Sequence, residues 1–432
     1  MTTTTDNREL GGAKQQKAPP TTEAQQSASL GDNRGSRRSA GTVLALAAFT
    51  ICYLCLSRYA TTRDRIVSRT PTPRLAPPLR KLMNSSRDVG AEEPGRRKLV
   101  LLWTHMYRAS NFSGCAVSAC DVTSDRTRLK ESDAVMFTMA LYRAHKHGVP
   151  EYRRPDQRWV FVTYEAPPVV RWIYKKLDAF NGWFNWTMSY RRDSDIFFQV
   201  GNVARRRTPY DTAASIDYAA RKTKLATWWM SHCPTDDRRE YLVKHIKRYI
   251  PVDVFGRTDN CGQTVCHDCD WSAMLRDTYY FYFAFENSIC KDYVTEKFFR
   301  SLANDVVPVV LGGAKYTDTA PPHSYIDVRD FRSVKELTNY LQLVAGNSTL
   351  YNAYFAWKRD YVIDTSAAVY QNRWCQLCEK LHAPASQPQS YDIQRWFTDD
   401  SKCLRYDETS TEEMKFIKST LKRPYQRVRV SD

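Results

Sequence analysis

A carboxylate set directly after a strand and a lysine set in the first turn of a helix are the two features of this sequence whose type and position suit chemistry. Glu165 follows the apolar run Trp159-Val160-Phe161-Val162-Thr163-Tyr164. In an open α/β sheet, ligands bind outside the carboxyl ends of the strands, so a glutamate there faces the crevice. A carboxylate within hydrogen-bond reach of a hydroxyl serves as a general base; the plain alternative is a solvated glutamate in a loop. Lys297 closes the polar stretch from Glu286, where a helical pattern begins near Thr295 with Phe298, Phe299 and Leu302 on one face. A helix amino terminus offers unpaired N–H groups and the positive end of its dipole, which together make an anion site. The stretch from Glu286 to Lys297 is therefore expected to hold a phosphate-bearing ligand. The competing reading for any helical lysine is a solvated face.

These residues need a sheet to position them. Tyr279 to Phe285 is an aromatic, strand-type run, and after the polar loop and the helix comes a second apolar run, Val306 to Leu311, ending in Gly312-Gly313. Strand, loop, helix, strand is the parallel βαβ unit. Further strands are expected at Lys98 to Trp103, Ala134 to Phe137 and Trp159 to Tyr164 in a first half, and at Leu225 to Met230 and Val252 to Gly256 in a second. A helix from Arg238 to Arg248 is stopped by Pro251. Lys335 to Leu343 and Tyr351 to Tyr361 read as helices, the latter packing back across the first half. The alternation is that of an α/β protein, and 432 residues give room for two domains.

The net charge of +17 invites a nucleic-acid reading, but the first 98 residues hold 17 Lys and Arg against 8 Asp and Glu, so +9 of it lies there. The remainder is mildly basic, which speaks against a nucleic-acid partner and suits a basic cleft for one anionic ligand. Residues 1–39 read as a polar, disordered tail. Residues 40–57 carry no charge and are just long enough for a transmembrane signal anchor; a cleaved signal with a long leading region is the alternative. Arginines flank both ends, so charge does not decide the orientation. Residues 58–97, rich in Pro, Arg and Ser, read as a stem. The 12 cysteines and the sequons at Asn84, Asn111, Asn185 and Asn347 fit a secretory compartment. There, Cys266-x-x-Cys269 and Cys375-x-x-Cys378 are expected in disulfides; in the cytosol the two motifs would suggest zinc.

Four ordered blocks resemble the signature of glycosyltransferase family 10, the α1,3-fucosyltransferases: Phe283-Ala284-Phe285-Glu286-Asn287-Ser288, Tyr293-Val294-Thr295-Glu296-Lys297-Phe298-Phe299, Val307-Pro308-Val309-Val310-Leu311-Gly312-Gly313 and Ala320-Pro321-Pro322-His323-Ser324-Tyr325-Ile326. A looser likeness runs from about Leu99 to Thr398 and includes Tyr190-Arg191-Arg192-Asp193-Ser194-Asp195. The resemblance implies a GT-B type fold, two Rossmann-like domains with a cleft between them. Residues 98–222 form the acceptor side, 223–378 the GDP-fucose-binding side, and 379–432 a C-terminal extension. It implies inverting transfer of L-fucose from GDP-fucose to the 3-hydroxyl of an N-acetylglucosamine in N-glycans, by a single-pass type II Golgi membrane enzyme with a lumenal catalytic region. The resemblance also implies that no cofactor is required and that Mn²⁺, which often stimulates related enzymes, needs no dedicated protein site.

Residue by residue, the resemblance makes Glu165 the base, although the family's Glu-Ser-Pro reads Glu165-Ala166-Pro167 here. Arg238 joins Lys297 at the diphosphate, although the preceding Ser-Asn-Cys reads Ser231-His232-Cys233 and the adjacent Arg239 leaves the register open by one. Asn287, Tyr293 and Glu296 contact the donor, Glu286 binds it or orients the loop, and Glu296 also has the spacing for an ion pair with Arg300. Disulfides are implied between Cys115 and Cys120 and within each C-x-x-C. The pairing of Cys233, Cys261, Cys290 and Cys403 stays open. Asp193-x-Asp195 looks like a metal motif but lies away from the donor unit, so no metal ligands are assigned. The 34 residues beyond Thr398 and the pattern from Trp374 to His382 resemble core-type enzymes, which act on the Asn-linked sugar. Lewis-type transfer to antennae is the alternative, and a catalytically inactive glycan-binding relative is the rival from another class.

Overall fold

Runs of five or six apolar residues can be buried on both faces of a sheet, and here they are. In the computed structural model, which describes residues 95–404 apart from 105–111, 199, 212–214, 257–263, 267 and 385–388, these runs form two six-stranded parallel sheets. The expected tail, anchor and stem up to residue 94, Asn84, Asn111, Cys261 and everything beyond 404 lie outside the described residues. Among the described residues no helix is long and apolar enough to cross a membrane.

The first sheet is built from β1 (Lys98–Leu102), β2 (Cys120–Thr123), β3 (Ala134–Thr138), β4 (Arg158–Thr163), β5 (Trp186–Ser189) and β6 (Ile196–Phe197), in the order β2-β1-β3-β4-β5-β6. Helix α1 (Pro167–Arg171) follows β4 directly. The register of β3 and β4 sets Phe137 opposite Phe161, and both rings are fully buried, each worth about 1.5–3 kcal/mol against exposure. Strand β7 (Asn202–Arg205) leaves this sheet. The second sheet contains β8 (Lys224–Trp229), β9 (Val252–Gly256), β10 (Thr264–Val265), β11 (Tyr279–Phe285), β12 (Val307–Leu311) and β13 (Ile326–Asp327), in the order β10-β9-β8-β11-β12-β13. Between its strands run α2 (Arg239–Ile246), α3 (Trp271–Asp277) and α4 (Glu296–Ala303), and after them α5 (Val334–Ala345) and α6 (Ser348–Ala353). The expected βαβ unit is β11, α4 and β12, whose two strands pair in parallel from Phe281 with Val307 to Phe285 with Leu311.

Beyond α6 the chain departs from expectation. Tyr351 to Tyr361 is not one helix; α6 gives way to a 3-10 turn at Ala356–Arg359 and then to β14 (Tyr361–Asp364), which pairs antiparallel with β7. The element that packs back on the first half is α7 (Ala367–His382), whose Trp374, Leu377 and Cys378 are fully buried beside Val100, Met136 and Val160. Residues 389–404 also join the first half. Ile393 and Phe397 are fully buried among the side chains of β3 and β4, and a π-helical turn spans Gln394–Asp399. The boundary expected at residue 378 therefore does not follow the packing: α7 and residues 389–404 complete the first sheet's core.

Two of the expected disulfide pairings are wrong. Cys115 bonds Cys375 and Cys120 bonds Cys378, while the pair Cys266–Cys269 is local. The reason is helical geometry: Cys375 and Cys378 are three apart on α7, so both project from one face toward the neighbouring sheet edge, where Cys115 and Cys120 lie. Cys290 bonds Cys403, and Cys233 is also disulfide-bonded. The sequon at Asn185 is corrected too. Its side chain is buried, accepting from Trp159 N and from Arg153 and donating to Gln389 O, so the amide is committed inside the fold. Asn347 is exposed and caps α6.

One buried acid carries a stability prediction. Asp237, 1% exposed in the loop before α2, is pushed from 3.8 to about 6 by burial, against the pull of Arg239 and Thr235. Its folded value lies above its unfolded one, so between those values the folded state binds more protons and stability falls as pH rises. Asp237→Asn should raise stability above pH 6 by up to about 3 kcal/mol and add nothing below pH 4. Urea unfolding at the two extremes checks this.

Candidate active site

The two sheets bring their strand ends to a shared cavity of about 560 Å³. Its walls include Tyr164 and Glu165 after β4, Ser231 and His232 after β8, Asn287, Tyr293, Thr295, Glu296, Lys297 and Arg300 from the loop and first turns between β11 and β12, and Tyr370 and Arg373 from α7.

Glu165 is fixed by a tight turn: its N–H donates to Thr163 Oγ1 at 3.1 Å, and that hydroxyl donates back to Glu165 O at 3.0 Å. From the opposite sheet, Tyr293 Oη donates to Glu165 Oε2 at 3.2 Å. Burial, then the charge of Glu165, pushes the Tyr293 phenol far above its ordinary value, so this hydroxyl stays protonated and can act on Glu165 only as a donor. The edge of Tyr190 packs against its ring, centroids 4.7 Å apart.

The amino terminus of α4 is capped by Glu286, not by its own N-cap side chain. Thr295 N donates to Glu286 Oε1 at 2.8 Å and Thr295 Oγ1 to Oε2 at 2.7 Å. Lys297 Nζ reaches Thr295 Oγ1 at 2.8 Å and the carboxylates of Glu286 and Glu296, each at 3.4 Å. Burial drives the Glu286 carboxyl up and outweighs Lys297. Burial opposes the charge of Lys297 as well, but Glu286 and Glu296 overcome it and hold the ammonium above its ordinary value. For Glu296 burial again opposes charge, and Lys297 wins, keeping that carboxyl below its ordinary value. Arg300 lies over Trp271 and acts on Glu296 through space. The Oδ1 of Asn287 is buried without a hydrogen-bond partner, which a ligand hydroxyl or N–H would satisfy. The loop lies against Gly313, where an added Cβ would come within 2.4 Å of Cys290 O; only glycine lets the two backbones approach this closely.

Of the residues singled out from sequence, Glu165, Asn287, Tyr293, Glu296 and Lys297 line this cavity. Glu286 does not; it is fully buried beneath the helix end and orients the loop. Arg238 does not either. It stands at φ 54° as the N-cap of α2, its guanidinium over Tyr241. The next residue, Arg239, is buried and donates to Phe285 O at 2.5 Å and His232 O at 3.2 Å, and its charge opposes that of Lys297. Tyr370 and Arg373 had no signal in the sequence, because only tertiary packing brings α7 to the cavity. Asp193 is held by Arg191 and Lys291, and Asp195 by Thr187, Tyr391 and Lys380. Among the described residues the one close group of metal-type ligands is Cys120, Cys378 and His382, and both of its sulfurs are in a disulfide.

Comparison with known proteins gives two adjoining family matches, "Fucosyltransferase, N-terminal" over residues 95–201 and "Glycosyltransferase family 10 (fucosyltransferase) C-term" over residues 219–396. The chain is 34% identical over 340 residues to alpha-(1,3)-fucosyltransferase C of Drosophila melanogaster, covering 69% of this chain and 77% of that one. It is 34% identical over 297 residues to glycoprotein 3-alpha-L-fucosyltransferase A of the same fly, covering 66% and 54%. It is also 34% identical over 286 residues to alpha-(1,3)-fucosyltransferase 7 of Mus musculus, covering 65% and 69%.

Proposed function

The chain belongs to glycosyltransferase family 10, the fucosyltransferases, and on that premise we propose that this α1,3-fucosyltransferase moves L-fucose, with inversion, from GDP-fucose to the 3-hydroxyl of an N-acetylglucosamine in N-glycans, preferring the Asn-linked sugar. The observation that carries the mechanism is that Glu165 from one sheet and the Asn287 to Lys297 turn from the other face one cavity. The acceptor oxygen bonds to the anomeric carbon of fucose as that carbon's bond to the β-phosphate oxygen breaks. The acceptor proton passes to Glu165, and GDP departs with the electron pair. Lys297 and the α4 amino terminus stabilise the charge developing on the diphosphate. Asn287, Tyr293 and Glu296 hold the donor, Glu286 orients the loop, and Arg239 beneath the cavity takes the place expected of Arg238. No metal ligand is assigned; stimulation by Mn²⁺ belongs to the same proposal. In the same proposal residues 40–57 are a signal anchor, and the cysteines of the remainder put the catalytic region in the lumen, as in a single-pass type II Golgi membrane protein.

A glycoprotein acceptor is supported by the name of the fly glycoprotein 3-alpha-L-fucosyltransferase A, and the core position by the pattern from Trp374 to His382. The Lewis-type alternative, transfer to antennal N-acetylglucosamine, is kept because the mouse alpha-(1,3)-fucosyltransferase 7, whose name specifies no glycoprotein acceptor, is equally similar. The deciding experiment gives the purified protein GDP-fucose and two N-glycopeptides, one with a bare trimmed core and one with galactose-capped antennae, and locates the added deoxyhexose by fragmentation mass spectrometry. Fucose on the Asn-linked sugar is expected. Fucose on an antenna would favour the Lewis-type reading, and GDP-fucose consumed on neither would overturn both acceptors.

A further inference from the structure

We propose that residues 389–404 are a clasp that sets the donor-side loop against Glu165, with Arg191, Asp193, Cys290 and Cys403 as its positioning residues. The proposal rests on the fucosyl-transfer reading of the cavity. One end of the clasp is rooted in the first sheet: Phe397 is fully buried, its ring 5.1 Å from that of Phe161 on β4, the strand that leads to Glu165. The other end holds the loop on both sides of a disulfide. Cys403 bonds Cys290, Leu404 N donates to Ile289 O at 2.9 Å, and Lys291 N donates to Ser401 O at 2.8 Å.

Arg191 locks the middle. Its side chain is 1% exposed. Its Nε and Nη2 donate to the two carboxylate oxygens of Asp193 at 2.8 and 2.6 Å, and its Nη1 donates to Ser401 Oγ at 3.1 Å and to Trp396 O. The guanidinium also lies over the Trp396 ring. Asp193 in turn accepts from Lys291 Nζ at 3.2 Å, so the same carboxylate ties the buried arginine to the donor-side loop. A paired fork of this kind fixes direction as well as distance. Three residues past Cys290 stands Tyr293, whose hydroxyl reaches Glu165. The path from β4 through the clasp to the loop and back to Glu165 is closed, and it absorbs the Tyr190-to-Asp195 motif for which the transfer mechanism has no other use.

The test uses the full chain, GDP-fucose and an accepted glycopeptide, with kcat expressed per GDP-binding site titrated by calorimetry. The double variant Cys290→Ser with Cys403→Ser should lose about 10-fold or more in kcat per site, as small misplacements of reacting groups do, with the Kd for GDP unchanged. Adding Tyr293→Phe should cost little more in kcat per site than the larger single effect, because both act on kcat through the Tyr293–Glu165 contact, while the part Tyr293 takes in holding the donor is read in KM. Unchanged kcat per site alongside a lower Tm would make the clasp merely structural and overturn the proposal, as would full additivity with Tyr293→Phe. Arg191→Lys keeps the disulfide and the charge but loses the fork. It serves as the second variant if the disulfide variant fails to fold, with the same loss in kcat per site expected and an unchanged kcat overturning the proposal. A wild-type chain that transfers no fucose would sink the functional reading itself; an active wild type with unaffected clasp variants would sink the clasp alone.

Discussion

Glu165→Gln is expected to lower kcat by about 10³-fold, within the range supplied by general bases, while GDP binds as before. Glutamine keeps the shape of the side chain. Its amide oxygen still accepts from Tyr293 Oη, which the native Oε2 does at 3.2 Å, and the Thr163 turn that aims the residue uses only backbone atoms of position 165. What is lost is the capacity to take a proton. A factor of 10³ is about 4 kcal/mol of barrier, too large to come from a neutral change in packing at a half-buried position. Steady-state turnover and calorimetric GDP affinity on the same preparation test this. Near-normal turnover would remove Glu165 as the base, and a parallel loss of GDP binding would show that the substitution disturbed the donor side instead.

The centre of the site was legible in the sequence because its signals are local. An aromatic run, a polar loop, a one-face helix and a second apolar run fall within 35 consecutive residues, and they become β11, α4 and β12. Glu165 was legible for the same reason, as the first polar residue after an apolar strand. What failed depended on distant partners. The fate of Cys375 and Cys378 was decided by Cys115 and Cys120, about 260 residues away. The sequon at Asn185 spans three residues, but its burial is enforced by Arg153 and Gln389. The helix expected from Arg238 begins one residue later because the left-handed conformation of that residue delays the start of α2 to Arg239, and hydrophobic periodicity does not register a cap. Residues 389–404 looked weakly patterned because only Ile393 and Phe397 are wholly buried there among the hydrophobic residues, too few to set a period.

Lys297→Met is expected to lower kcat/KM for GDP-fucose by about 10²–10³-fold, the scale of removing one preorganised charge from a developing anion. Methionine fills most of the lysine stem, so the loss is of charge rather than volume. The charge matters because Lys297 stands in the first turn of α4, where the helix dipole already favours an anion. The readout that isolates its role is the preference for GDP over GMP, which should shrink about 10-fold in the variant, since each 1.4 kcal/mol of lost phosphate contact is one decade. An unchanged preference would place Lys297 away from the diphosphate whatever the activity shows. The substitution also has a pH signature. Glu286, fully buried and already raised by burial, loses its nearest cation and rises further. The folded variant then binds a proton that the unfolded chain has released, so its stability relative to wild type should fall as pH rises from the acid range toward neutrality. In the wild type, Lys297 is itself raised above its unfolded value, so its contribution is intact below that value and fades only in strong alkali. Wild type and variant should therefore converge in stability at low pH and separate near neutrality, and urea unfolding across that window would show it.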